Sequence, residues 1–221
     1  MAKNKLKKFK QINDFYNVLE PSIDGKELHF DMSGRWHEIF NNNNPIILEL
    51  GCGKGEYSVA LAERYPESNF IGVDIKGNRL WAGANLSISK GLKNIRFLRI
   101  RIEYIEQCFH ENEVSKIWIT FPDPQIKRRR SKRRLTHPNF LRKYKTFLKK
   151  EGTISLKTDS EFLYGYTLGI IENENHDLLD CTHDVYNGSQ IRSDIDIETY
   201  YERKFLDKNK LITFLNFRLN H

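Results

Sequence analysis

The sequence predicts an α/β domain, a mostly parallel seven-stranded sheet with helices on both faces. Three observations carry that prediction. Short apolar runs rich in branched residues alternate with helical-period segments from Pro45 almost to the C-terminus. The first run, 46–50, leads directly into Gly51, Gly53 and Gly55 at alternate positions, then into 58–62 with apolar residues at helical spacing. A strand, a glycine turn and a helix in that order form the first unit of a nucleotide-binding α/β domain. The length of 221 residues, with 39% hydrophobic and 29% charged, suits one soluble domain with its own core.

Taken in order, residues 1–44 are expected as a basic N-terminal arm with a lead-in helix, and 45–221 as a single domain. Lys3, Lys5, Lys7, Lys8 and Lys10 precede an apolar set at Phe15, Val18 and Leu19. Such an arm is either frayed in solvent or ordered on an anionic partner. Asn41 to Asn44 make a turn before the first core strand at 46–50. A second strand, 69–74, ends in Asp74, and a helix over 79–90 closes at Gly91. The third strand covers 95–101, followed by a helix around 103–110. The fourth covers 116–121 and ends in Pro122-Asp123-Pro124. A helix over 139–150 leads to Gly152 and a fifth strand at 153–158, and a helix over 161–172 follows. The last two strands are expected at 178–186 and 211–219. No internal repeat or linker interrupts the pattern.

Composition narrows the setting. A net charge of +7 and a pI near 9.2 point to a polyanionic partner. No apolar run approaches the roughly 20 residues of a membrane helix, and the basic N-terminus lacks the apolar segment of a signal peptide, so a cytoplasmic location is expected. Cys52, Cys108 and Cys181 are odd in number and far apart, which suggests neither a disulfide framework nor a metal site.

The glycine turn constrains its ligand. A dinucleotide turn with glycines at 51 and 53 needs a third at 56, where this chain has Glu56, an acid that repels a pyrophosphate. Glu49 precedes the glycines instead, which suits a ligand with a positive group. Asp74, at the end of the next strand, is placed to accept both ribose hydroxyls or to cap the following helix. S-adenosylmethionine has the matching parts: a ribose, a sulfonium and an amino-acid ammonium.

At this point a family resemblance becomes specific. ELGCGKGE at 49–56, GVDIKGNRL at 72–80, and FPDP at 121–124 followed by Lys127 and KRR occur in this order. The chain thereby resembles the bacterial tRNA (guanine-N7)-methyltransferase family over about residues 46–205. The resemblance implies the class I methyltransferase fold with an antiparallel last strand. It also implies methyl transfer from S-adenosylmethionine to N7 of a guanosine at position 46, in the tRNA variable loop. It carries cofactor contacts onto Glu49, Gly51, Gly53, Asp74, Arg101 and Asp123, and the catalytic position onto Asp123. Substrate contacts fall on Lys127, Asp159, and the run Thr199, Tyr200, Tyr201 and Glu202. Two departures stand out: Gln125 replaces the family's tryptophan after FPDP, and Arg101 stands where relatives carry an aspartate near the adenine. Arginine cannot accept the adenine N6 hydrogens, which leaves the backbone, Glu103 or packing alone to hold that ring.

The run from Lys127 to Arg134 packs seven cations into eight residues and is expected to rim the cleft. Arg128, Arg129, Arg130, Lys132, Arg133 and Arg134 are assigned to RNA contact, since Lys and Arg supply most sequence-independent affinity for phosphates. Guanine N7 is an in-plane lone pair with no proton to lose, so no strong base is required. Asp123 is the expected carboxylate beside the purine as it gains charge, with Asp159 and Glu202 as helpers. Cys52, inside the glycine turn, reads as a small filler rather than a nucleophile. Methylation of another RNA, and a non-catalytic RNA-binding module with Arg101 and Gln125 as signs of decay, are the alternative readings; monomer and homodimer both stay open.

Overall fold

Ten strands and six α-helices are defined in a computed structural model that describes residues 8, 10–25, 27–187 and 194–220. The arm lysines Lys3, Lys5 and Lys7 lie outside the described residues. The strands are β1 (Val18–Leu19), β2 (Ser22–Asp24), β3 (Glu27–His29), β4 (Ile46–Leu50), β5 (Asn69–Val73), β6 (Ile95–Leu98), β7 (Val114–Thr120), β8 (Leu148–Thr158), β9 (Asp177–Thr182) and β10 (Thr213–Arg218). The helices are α1 (Trp36–Phe40), α2 (Glu56–Arg64), α3 (Gly77–Ser89), α4 (Pro138–Lys145), α5 (Glu161–Asn173) and α6 (Tyr200–Leu206).

Eight strands form one sheet in the order β1-β6-β5-β4-β7-β8-β10-β9, and β2 with β3 forms a separate hairpin. β10 runs antiparallel to both of its neighbours, and the pairings among β4 to β8 are parallel. The seven expected strands are all present. The eighth is β1, whose two residues pair parallel with Phe97 and Leu98 of β6. It is too short to show a period, and tertiary contacts hold it there. Phe97 and Arg99 donate their backbone N–H groups to the carbonyls of Asn17 and Leu19, and the buried Asn17 amide donates to Ala84 O and Ser87 Oγ on α3. The described residues ahead of β4 are thus joined to the domain by edge strand β1 and by Trp36, which is fully buried and donates its indole N–H to Cys108 O at 2.9 Å.

The sheet separates two apolar cores because side chains alternate across each strand. Leu48, Leu50, Ile71, Val73, Ile117, Ile119 and Leu156 face α1, α4 and α5. Phe70, Phe97, Trp118 and Phe214 face α2 and α3 on the other side. Several expected elements differ in kind or extent. The helix around 103–110 is a 3-10 helix, Ile102–Gln107. The helix from 139 stops at Lys145, and β8 begins at Leu148 because Phe147 and Leu148 are buried and Leu148 pairs with Val114. β9 ends at Thr182, where Thr182 and Asp184 bond to each other in a turn. β10 covers only Thr213–Arg218 of the expected 211–219.

Candidate active site

The C-terminal ends of β4 to β8 share one edge of the sheet, where doubly wound folds place their ligands. A cleft of about 670 Å³ opens there between the glycine turn, the ends of β5 and β6, and the loop after β7. A smaller cavity of about 80 Å³ adjoins it, and the two share Gly51, Arg79 and Phe121.

Glu49 lines the smaller cavity and is only 4% exposed. Its carboxylate accepts from the Ser58 backbone N–H at 2.9 Å, from the Ser58 hydroxyl, and from the Thr120 hydroxyl at 2.5 Å. Burial pushes the carboxyl up to about 7, opposed by these three bonds and assisted by the charge of Asp74. The turn beside it is packed to its limit. A Cβ on Gly55, which has φ +70, would sit 2.5 Å from the Phe97 ring. One on Gly83 of α3 would sit 2.6 Å from Lys54 O, so the helix rests directly on the turn's backbone. Cys52 is buried within this packing, and burial holds its thiol well above the ordinary value, so it is a neutral filler.

Asp74 ties the turn to the next strand. Its Oδ2 accepts from Gly53 N at 3.0 Å and its Oδ1 from Lys76 N at 2.8 Å. The N-cap of α3 is Lys76, so Asp74 does not cap that helix, and each oxygen retains a lone pair toward the cleft it lines. Ile75, Ile100, Ile102 and Leu135 give the same cleft apolar walls. Arg101 is at the cleft, but its side chain is 61% exposed and pairs with Glu103 at 3.3 Å.

The loop after β7 is held in an uncommon shape. Phe121 and Gln125 both have φ +46, bracketing Pro122-Asp123-Pro124. Positive φ at non-glycine residues costs on the order of 1–3 kcal/mol each and clusters at functional sites. Asp123 is exposed at the cleft, and its Oδ1 accepts from Gln125 N at 2.9 Å. The basic run continues from this loop as a 3-10 helix, Arg128–Arg133, with no buried residue. Lys132 and Arg133 line the cleft, while Lys127 and Arg128 to Arg130 are exposed outside it. Arg134 departs from the exposed position the sequence suggests: it is buried and bonded to carbonyls of the same loop.

The run from Thr199 to Glu202 divides. Thr199 and Glu202 form a reciprocal capping box at the start of α6. Glu202 is fully buried, 2.6 Å from the Lys157 ammonium, and it also accepts from the Tyr186 hydroxyl at 2.8 Å. Its carboxylate is committed to the scaffold, a position unlike the substrate helper the sequence suggests. Tyr200 and Tyr201 are nearly half exposed. Tyr201 lines the small cavity with Thr199, and Lys54 and Lys204 flank the Tyr200 ring at 4.4 and 4.5 Å. Asp159 pairs with Lys210 at 2.6 Å and lines neither cavity. Arg79 is the residue sequence reasoning missed. It lies within the quoted GVDIKGNRL stretch, yet nothing in its spacing distinguishes it from any solvated helix arginine.

A mostly parallel sheet with an acid at the end of β4 before a glycine turn, a carboxylate just after β5 and an exposed carboxylate after β7 has the architecture of a class I methyltransferase. The family model described as "Putative methyltransferase" matches residues 43–215. A tRNA (guanine-N(7)-)-methyltransferase of Christiangramia forsetii is 49% identical over 221 residues, covering 99% of each chain. One of Bacteroides thetaiotaomicron is 46% identical, covering 99% of this chain and 87% of its own. The chain belongs to the tRNA (guanine-N7)-methyltransferase family. Among solved structures, the 16S rRNA methyltransferase KamB superposes with a TM-score of 0.66 over 91% of this chain at 13% identity, a likeness of fold.

Proposed function

We propose that this chain methylates N7 of a tRNA guanosine, at position 46 of the variable loop, with S-adenosylmethionine as methyl donor. The observation that carries it is one rim: a cavity pair suited to an amino acid and a nucleoside, an exposed carboxylate, and a cationic helix beside both. The residues present fit the cofactor. Glu49 and Arg79 offer an acid and a guanidinium to the two ends of its amino acid, Asp74 offers lone pairs to its ribose, and Ile75, Ile100 and Ile102 pack its adenine. Such packing asks nothing of the Arg101 side chain, which pairs with Glu103. When bound, S-adenosylmethionine supplies an activated methyl group on a sulfonium.

Guanine N7 attacks with its own lone pair, so Asp123 is not needed to remove a proton. Its carboxylate instead accepts from the guanine N1–H and N2–H groups and offsets the positive charge growing on the purine. The strained loop fixes that carboxylate before the substrate arrives, so alignment of N7 with the methyl carbon and sulfur carries much of the acceleration. Lys127, Tyr200, Tyr201 and Thr199 supply further nucleotide contacts, and Asp159, just after β8 at the same edge of the sheet, adds another. Arg128, Arg129, Arg130, Lys132 and Arg133 hold phosphates along the rim. One chain lines the whole site, which suits a monomer and a homodimer equally, and the substrate sets the reaction in the cytoplasm. Mass spectrometry of tRNA incubated with protein and S-adenosylmethionine tests the assignment: 7-methylguanosine at position 46 is expected, and its absence with the cofactor bound would redirect it to another RNA.

Two further results are expected. Glu49 holds its proton up to about 7 in the fold, against roughly 4.3 in the unfolded chain. The stability this contributes is present below the unfolded value and is lost as pH rises through about 7. Cofactor binding runs the other way, because an ammonium prefers the carboxylate. Affinity by calorimetry should therefore rise between about pH 6 and 8, and Glu49→Gln should flatten that rise and weaken binding roughly 10- to 100-fold at pH 8. Flat wild-type binding across that range would remove Glu49 from the ammonium. Second, Arg129→Glu with Arg130→Glu should weaken tRNA binding and lower its salt slope by roughly 0.7–0.9 per lost phosphate contact. Unchanged binding would take the run off the RNA.

A further inference from the structure

We propose that Arg134 is a positioning residue for the loop that carries Asp123, although the sequence places it at the end of an RNA-binding run. The inference rests on the role given to Asp123 above. Six cations of the run, Lys127 to Arg130, Lys132 and Arg133, are exposed. Arg134 is 6% exposed. Its Nε donates to Pro124 O at 3.3 Å, and one terminal nitrogen donates to Gln125 O at 3.1 Å and, at 3.5 Å, to Ile126 O. The guanidinium therefore reaches three consecutive carbonyls immediately after Asp123.

The guanidinium also rests against two aromatic rings. The guanidinium carbon lies 4.3 Å from the Tyr166 ring centre and 4.8 Å from that of Phe162, and those rings are stacked on α5. The chain around it is anchored as well. Arg134 donates its backbone N–H to Ser131 O, Leu135 O accepts from the Tyr144 hydroxyl, and the Thr136 hydroxyl meets that of Thr167 at 2.8 Å.

The energetics explain why an arginine is needed here. A buried guanidinium is costly unless its donors are met, and carbonyl dipoles with aromatic faces meet them. In return it holds inward the carbonyl of Gln125, a residue whose positive φ must be over-determined by its surroundings. The same residue donates the N–H that fixes Asp123 Oδ1. Lysine, a point charge without a planar fork, cannot span three carbonyls while resting against both rings. A phosphate contact would require Arg134 to leave all of these partners.

Arg134→Lys, which keeps the charge, is the test, with Arg134→Ala, Arg129→Ala and Asp123→Ala alongside. The expected result is a folded Arg134→Lys protein, by melting temperature and cofactor affinity, whose kcat falls roughly 10- to 100-fold, the scale of an ångström-sized misplacement. Its tRNA affinity and salt slope should match wild type, while Arg129→Ala should lose affinity and slope. In an Asp123→Ala background, Arg134→Lys should cost less than about twofold more, since residues acting as a unit are not additive. Unchanged kcat, a loss confined to tRNA binding, or fully additive losses would each overturn the inference. Full activity of Asp123→Ala would overturn the reading of Asp123; a slow Asp123→Ala with a full-speed Arg134→Lys overturns the present inference alone.

Discussion

Asp123→Ala is expected to lower the rate of methyl transfer by about two to three orders of magnitude, the scale seen when one preorganised electrostatic partner of a transition state is removed. Cofactor affinity should stay within about threefold of wild type, because a group acting on developing charge shows in kcat rather than in ground-state binding. The companion variant Asp123→Asn separates two roles of the same side chain. Asparagine can still accept from Gln125 N, as Asp123 Oδ1 does, so it preserves the loop. It carries no charge and offers an amide N–H₂ where the guanine presents its own donors. If Asp123→Asn is as slow as Asp123→Ala, the charge carries the effect. Near-normal turnover of Asp123→Ala on tRNA would sink the assignment.

Lys157→Met should be the most destabilising single change near the site. Lys157 and Glu202 are both fully buried and 2.6 Å apart. The Lys157 ammonium also donates to Ile195 O at 2.6 Å and Ile197 O at 3.1 Å. Burial pushes its pKa down, and Glu202 opposes that. Breaking such a pair leaves an uncompensated buried charge at a cost of about 3–5 kcal/mol, or a fall in melting temperature of about 6–20 °C for a chain of this size. The double variant Lys157→Met with Glu202→Gln should recover most of the loss. Glutamine keeps a carbonyl acceptor for the Thr199 N–H, and its amide N–H₂ can donate to the Tyr186 hydroxyl oxygen. A Lys157→Met protein that melts like wild type would show that the pair contributes nothing.

The sheet was legible in the sequence because each central strand is an apolar run bounded by turn residues, and 46–50 was placed to the residue. Glu49, Gly51, Gly53, Asp74 and Asp123 were legible because strand ends are where such folds bind ligands. Arg134 and Glu202 were not. Both carry charge in a motif dense with exposed polar residues, and only tertiary packing distinguishes the one that turns inward. The β2–β3 hairpin and β1 escaped for another reason: runs of two or three residues carry no measurable period. The walls of the cleft, Ile75, Ile100 and Ile102, escaped because an isoleucine beside a strand end reads as core until the opening next to it is seen.

The strand order also sets the order in which the sheet can be completed during synthesis. β1 emerges from the ribosome first and finds its partner when Phe97 and Leu98 follow. The edge of β6 is then covered, and the β4–β6 pairings around the glycine turn need nothing made later. The opposite half is different, because β10, which follows both in the chain, is inserted between β8 and β9. Until it arrives β9 has no neighbour and β8 keeps an open edge, with Leu178 and Leu179 still exposed even in the finished fold. Unpaired edges of this kind invite intermolecular pairing. The nascent chain is therefore most vulnerable between the emergence of β9 and that of β10, after the half bearing the glycine turn is able to close.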